Sequence, residues 1–330
     1  MDVRLKRKIA NDYPYPITVD FMRLNTMEYK NHGEARLRKI IDVTEMIVQF
    51  LALISISDLV ENAIQGNVKI PDSFRSNFRN NFSKITMGKW IELLRESIKV
   101  FKTNDTPMFI EELADYFVKS KSSETKVQQA FSRIVTIRNG LNHKAHHLNK
   151  ADFIKISEET DELLEFILKE LSFIIDYQFL YINKVTVEYH RWSEPVYNID
   201  MSYIVGSNPE LFDSTDSDDS QRNIMHTPAI VIAKENSNQY LNLEPLVIYS
   251  DEGEMEITDI FMYMGWDKAR NKITYKPIWK GGSFNLMQTT LKNHLGPEML
   301  RIIEILGTES DYQSFKNEIE KKLNTMSYSI

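Results

Sequence analysis

Met46-Ile47-Val48-Gln49-Phe50-Leu51-Ala52-Leu53-Ile54-Ser55-Ile56 is the most apolar run in this chain, and its reading decides the fold. A bilayer core needs about 20 apolar residues. This run is shorter than that, Gln49 interrupts it and Asp58 follows it. As part of one long helix over residues 33–66 it makes sense. Leu37, Ile40, Ile41, Met46, Ile47, Phe50, Leu51, Ile54 and Leu59 then fall at helical spacing, with apolar groups on more than one side. Gly66-Asn67 supplies the stop.

Working outward, Met87 to Ile98 predicts a second amphipathic helix, and residues 109–119 a short third one. Lys119 to Thr125 reads as a polar loop. A helix starts near Thr125, with Val127, Ala130, Phe131, Ile134, Ile137 and Leu141 at steps of three and four. A final helix is expected over about 157–180, with Ser157 as N-cap and Glu158 and Glu159 at the positive end of its dipole. No strand pattern precedes residue 183, so residues 1–182 read as a helical bundle.

The texture then changes. Val185–Tyr189, Asn198–Val205, Ala229–Ala233, Leu241–Tyr249, Asp259–Met264 and Lys272–Ile278 read as strands. Asp213 to Ser220 is an acidic, low-complexity loop, expected to be mobile. Residues 286–330 return to helix, broken at Gly296-Pro297 and near Gly307. The expected class is α+β: a helical bundle over 1–182, a β-rich domain over 183–285 and a helical segment over 286–330. In the β-rich part Trp266, Tyr275 and Trp279 read as packing residues.

Composition narrows the function. Of 330 residues, 42% are apolar and 26% charged, enough to bury a core. There is no cysteine, which excludes disulfides, thiolate metal sites and cysteine nucleophiles. Met1 to Lys8 is basic, but no signal-peptide core follows, so a solvated terminus and a soluble, cytoplasmic protein without membrane contact are expected. Residues 1–182 carry 26 Lys+Arg against 25 Asp+Glu, while residues 183–330 carry 14 against 22. The first part can host local basic patches for phosphate, and the second is a poor host for a polyanion.

One segment carries chemistry: Arg138-Asn139-Gly140-Leu141-Asn142-His143. At 100° per residue, Arg138 lies roughly 50° from the centre of the apolar stripe of its helix. A guanidinium so placed must be paired, or must sit at an interface or site. Asn139, His143 and His146 share one helix face beside it. Asn139-Gly140 also fits a helix C-cap, but Leu141 continues the stripe and argues that the helix goes on. A mid-helix glycine costs ~1 kcal/mol and is tolerated where another backbone comes close, as in a symmetric helix pair. These residue types suit metal-free RNA cleavage. Imidazole can take the 2′-hydroxyl proton, a guanidinium can hold the phosphate and an amide can orient either.

Arg138, Asn139 and His143 form an Arg-polar-x-x-x-His pattern that resembles the HEPN superfamily (higher eukaryotes and prokaryotes nucleotide-binding). Asp42-Val43-Thr44-Glu45-Met46 and Met87 to Glu96 resemble a bacterial subgroup of it, so the resemblance covers roughly residues 33–180. It implies a bundle that dimerises around the motif helices, two motif copies building one metal-independent endoribonuclease site. It also implies a role in anti-phage defence, abortive infection or toxin–antitoxin control. One toxin branch carries a tyrosine two residues after the motif histidine as a target for nucleotide transfer. Ala145 stands there, against that mode of control. The region of Tyr240 to Tyr249 and Asp259 to Tyr263 resembles a β-rich module that accompanies this subgroup.

The expected catalytic residues are therefore Arg138, His143 and Asn139, with Asn142 and His146 as auxiliary candidates and no cofactor or metal. Expected partners are RNA, a second copy of the chain, and a protein or small-molecule trigger at the β-rich domain. A non-catalytic HEPN scaffold for another effector is the alternative. His143, His146 and His147 as a metal cluster for a hydrolase is a weaker one, because no carboxylate sits at matching spacing.

Overall fold

The computed structural model describes residues 1–82, 85–118, 124–144, 147–192, 194–204, 206, 213–215, 229–235, 237, 239–250, 259–267, 272–279, 295–314 and 316–317. The chain is α+β, with helices first and antiparallel sheets in its later part. It divides into two compact units that alternate along the sequence: residues 1–51 with 110–242, and residues 52–109 with 243–330. The packing thus does not follow the expected boundaries at 182 and 285. Each unit joins helices to a sheet.

The first unit opens with α1 (Val3–Asp12) and α2 (Tyr15–Leu24). The basic start is a helix rather than a solvated tail. Pro14 ends one helix and Pro16 sits in the first turn of the next, where its missing N–H costs nothing. Tyr13 is fully buried and donates to the Leu168 carbonyl at 2.7 Å, and Thr18 Oγ1 donates to the Ile9 carbonyl at 2.8 Å.

The next helix, α3 (Glu34–Ile64), is a single helix of 31 residues, and Gly66 follows in the left-handed region at φ 78°. By length and composition α3 could cross a membrane, contrary to the expectation from its apolar run alone. Yet 89% of its apolar window is buried inside the protein, so its side chains serve the core.

The unit continues with α6 (Glu112–Phe117), α7 (Lys126–Lys144) and α8 (Lys150–Glu170), then a 3-10 segment over Leu171–Asp176. The helix α8 begins seven residues before the expected Ser157. Its cap is Asn149, whose Oδ1 accepts from the Ala151 and Asp152 N–H groups at 2.8 and 3.0 Å. Asp152 returns a bond from the Asn149 N–H at 3.0 Å. This reciprocal pair satisfies N–H groups the helix cannot. Ser157 lies buried within the helix instead.

Strand β1 (Tyr177–Glu188) starts where helix was expected. The apolar residues of Phe173 to Leu180, with Asp176 and Gln178 between them, fit either period. Here Phe179 meets Phe50 of α3 edge-to-face, with centroids 5.4 Å apart. The remaining strands are β2 (Val196–Tyr203), β3 (Asp213–Thr215), β4 (Ala229–Lys234) and β5 (Tyr240–Asn242), in the antiparallel order β3-β2-β1-β4-β5. Part of the expected acidic loop is thus strand, since Asp213, Ser214 and Thr215 pair with β2. Residues 216–220 lie outside the described residues.

The second unit holds the end of α3, α4 (Asp72–Phe82), α5 (Met87–Thr103), the sheet β6 (Val247–Ser250), β7 (Asp259–Asp267) and β8 (Lys272–Pro277), and α9 (Leu295–Leu306). Phe74, Phe78 and Phe82 fall on one face of α4 at steps of four and stack in series. Tyr263 of β7 completes the stack at 4.2 Å and donates to the Phe82 carbonyl at 2.9 Å. Arg75 of α4 donates to the Glu304, Ile305 and Gly307 carbonyls, capping the C-terminal end of α9. Trp266 and Tyr275 are buried as expected, while Trp279 is 43% exposed.

Candidate functional site

Local chemistry sets the start of α7. Thr125 Oγ1 accepts from the Gln128 N–H at 3.0 Å and donates to the Tyr116 carbonyl at 2.9 Å. The hydroxyl thereby caps the helix and ties it to α6. Val127, Ala130, Phe131, Ile134, Ile137 and Leu141 are all buried, so the apolar stripe is the face that packs. Across the exposed side, Arg133 joins Glu159 of α8 by bonds of 2.6 and 3.1 Å.

The helix runs through Gly140 to Lys144, so Asn139-Gly140 is not its C-cap. A Cβ placed on Gly140 would meet nothing within 4 Å. Packing within the described chain therefore does not require glycine there.

Arg138, Asn139, Asn142 and His143 lie together on the outer side of this last stretch. The side chains of Asn139, Asn142 and His143 are exposed, and none of these side chains makes a hydrogen bond or ion pair with another described residue. Arg138 is 26% exposed and leans back toward α3. Its Nη2 lies 3.8 Å from Glu45 Oε1, and Glu45 is exposed to the same degree. That distance exceeds a hydrogen bond. The guanidinium is paired, as its position near the stripe demands, but loosely. His146 lies outside the described residues.

The set offers one cation for an anion, one solvent-facing imidazole for proton transfer and two amides. It stands on a helix face open to solvent, so a second surface is needed to enclose a substrate. Among the described residues no group of three His, Asp or Glu side chains is placed to hold a metal ion. His32 contacts Ser157 at 3.3 Å and His190 lies 3.9 Å from Glu188, while His226 and His294 lie outside the described residues.

Two features escaped the sequence reading. Glu45 as the partner of Arg138 was legible only as part of the Asp42-to-Met46 segment, with no signal for the contact. The other is Tyr189-His190-Arg191-Trp192, at the turn between β1 and β2, where Trp192 is 89% exposed. A cluster of rings and cations next to a hairpin was its signal. No family model, curated protein or solved structure matches this chain.

Proposed function

We propose that this chain is a metal-independent endoribonuclease of the HEPN type, working as a homodimer in bacterial anti-phage defence or toxin–antitoxin control. The observation that carries the reading is the state of Arg138. It is a guanidinium beside exposed Asn139 and His143, held among the described residues by a single 3.8 Å ion pair that a phosphate can replace. Arg138 binds the scissile phosphate and neutralises charge as it develops. One His143 imidazole takes the 2′-hydroxyl proton, and the 2′-oxygen attacks phosphorus. The bond to the 5′-oxygen breaks, and a second His143 protonates that leaving group. Asn139 orients these groups, with Asn142 and His146 as auxiliaries.

Two copies of α7 facing each other supply the second surface that one exposed ridge lacks. Open space at Gly140 supports such an approach. The sheet-bearing part then senses a trigger or restrains the nuclease.

The test is the chemistry of the products. Incubated with single-stranded RNA in EDTA, the full chain should leave 2′,3′-cyclic phosphate and 5′-hydroxyl ends, and His143→Ala should lower the rate by roughly 100-fold or more. Loss of cleavage in EDTA, or 5′-phosphate ends, contradicts the proposal. The second reading is a non-catalytic scaffold. Glu45 beside Arg138 favours it, because the acid competes with phosphate for the guanidinium. It predicts no RNA cleavage by the wild type and unchanged dimerisation in His143→Ala.

A further inference from the structure

Among the described residues, β1 and β2 form a two-stranded ribbon that extends from the five-stranded sheet of the first unit. Among these residues, β1 pairs with β4 as far as Ile182↔Ala229, and β2 pairs with β3 from Met201 to Tyr203. Past the irregularity between Ile182 and Lys184, the register runs from Lys184↔Asp200 to Glu188↔Val196. Over these pairs each strand has only the other as a strand neighbour among the described residues. The apolar sheet face of Leu180, Ile182, Met201 and Val231 is buried, and Val187 and Val196 beyond it are exposed. At the turn Tyr189 is 77% and Trp192 89% exposed.

Tyr189-His190-Arg191-Trp192 places four ring or guanidinium side chains in succession. Arg191 Cζ lies 5.1 Å from the Trp192 ring centroid, a cation–π arrangement. The acids nearby are directed elsewhere or lie apart. Glu188 Oε1 accepts from Asn198 Nδ2 at 2.8 Å, and its other oxygen faces His190. Glu194 is exposed and makes no ion pair with a described residue. Arg191 likewise has no carboxylate partner among the described residues, so its charge rests on an indole face open to solvent.

We propose that this ribbon tip binds single-stranded RNA, with bases stacking on Trp192 and Tyr189 and a phosphate taken by Arg191. The proposal rests on RNA being the substrate of the α7 site and adds a second contact on it. Residues 183–330 as a whole remain a poor host for a polyanion, so the ribbon tip would hold RNA by stacking and one local cation rather than by an extended basic surface. Stacking on aromatic rings and guanidinium planes is the general way unpaired bases are held. A partner protein or a lipid surface calls for a continuous apolar patch. Here the rings alternate with His190, Arg191 and the acids Glu188 and Glu194.

The experiment measures fluorescence anisotropy of a labelled single-stranded oligoribonucleotide titrated with the full chain carrying His143→Ala. Trp192→Ala and Arg191→Ala are each added to that background. Trp192→Ala should weaken binding roughly 5- to 150-fold, the factor for losing one base–aromatic stack. Trp192→Phe should restore most of it, and Arg191→Ala should flatten the salt dependence. Unfolding curves should coincide, because Trp192 touches no core. Unchanged affinity in Trp192→Ala overturns the proposal, as does a parent that binds no RNA. Loss of binding to phosphatidylserine vesicles with RNA affinity intact overturns it in favour of a membrane surface. Cleavage by the otherwise wild-type chain is scored separately. An unchanged affinity beside intact cleavage removes the ribbon and leaves the α7 site standing.

Discussion

Arg36 and Arg138 both project from helices of the first unit, and they are held in opposite ways. Arg36 Nη2 makes two 2.8 Å bonds to Asp161, and its Nη1 donates to the Tyr29 and Leu24 carbonyls at 2.8 and 3.3 Å. Its side chain is 10% exposed. It fastens the segment after α2, and α8, to α3, and it has little capacity left for a ligand. Among the described residues Arg138 has one ion-pair contact, at 3.8 Å, and exposed side chains beside it. A charge near a core must be paired, but the tightness of the pairing separates a structural arginine from an available one.

That contrast is sharpest where structure is removed. Arg36→Ala leaves Asp161 uncompensated in a mostly buried site and should destabilise the chain by about 3–5 kcal/mol in urea unfolding. The double change Arg36→Ala with Asp161→Ala should recover part of this. Equal losses in the single and double variants would mean that the pair is not the cause.

Asp58 extends the comparison to a buried acid with no cation paired to it among the described residues. It is 3% exposed and accepts from the Phe109 N–H and from Asn62 Nδ2, both at 2.8 Å. Burial pushes its carboxyl up to about 7, against the two hydrogen bonds that favour the charged form. The folded chain therefore binds this proton more tightly than the unfolded chain. The stability it contributes is fully present below the ordinary value of 3.8 and is lost as pH rises through about 7. Between pH 5 and 8 the wild type should lose on the order of 2 kcal/mol relative to Asp58→Asn. A difference between the two that does not change with pH would contradict this.

At the exposed end of the scale, Asn149→Ala should cost about 1 kcal/mol, through loss of the α8 cap. Helix content at residues 150–153, read by amide exchange, should fall before the rest. Uniform protection there would show that Asp152 alone suffices.

The legibility of these regions in the sequence differed for physical reasons. α7 was readable because its apolar residues recur at three and four, and Leu141 carried the helix through Gly140. α1 and α4 were missed because both are dominated by polar residues, although Phe74, Phe78 and Phe82 repeat at helical steps. The start of β1 is ambiguous in the sequence because its apolar residues, Tyr177, Phe179, Leu180 and Ile182, fit either period. The division into units was not readable at all. It depends on which helices a sheet packs against, and Phe179 reaching Phe50 has no local signature. At the candidate site the residues of α7 are legible in the sequence, while Glu45 comes from another helix and the exposure of Trp192 from the register of a ribbon.

On the proposed function, Arg138 is held loosely because it serves a phosphate and not the fold. The most direct measurement takes both readouts on Arg138→Ala: urea unfolding, and cleavage of single-stranded RNA in EDTA. Stability should stay within about 1 kcal/mol of the wild type, as for a weak, partly exposed pair. Cleavage should fall by roughly 100-fold or more, as when a charge-stabilising group is removed. Cleavage at the wild-type rate by a folded Arg138→Ala chain would rule out this role for the guanidinium, and so would a loss of stability as large as that of Arg36→Ala.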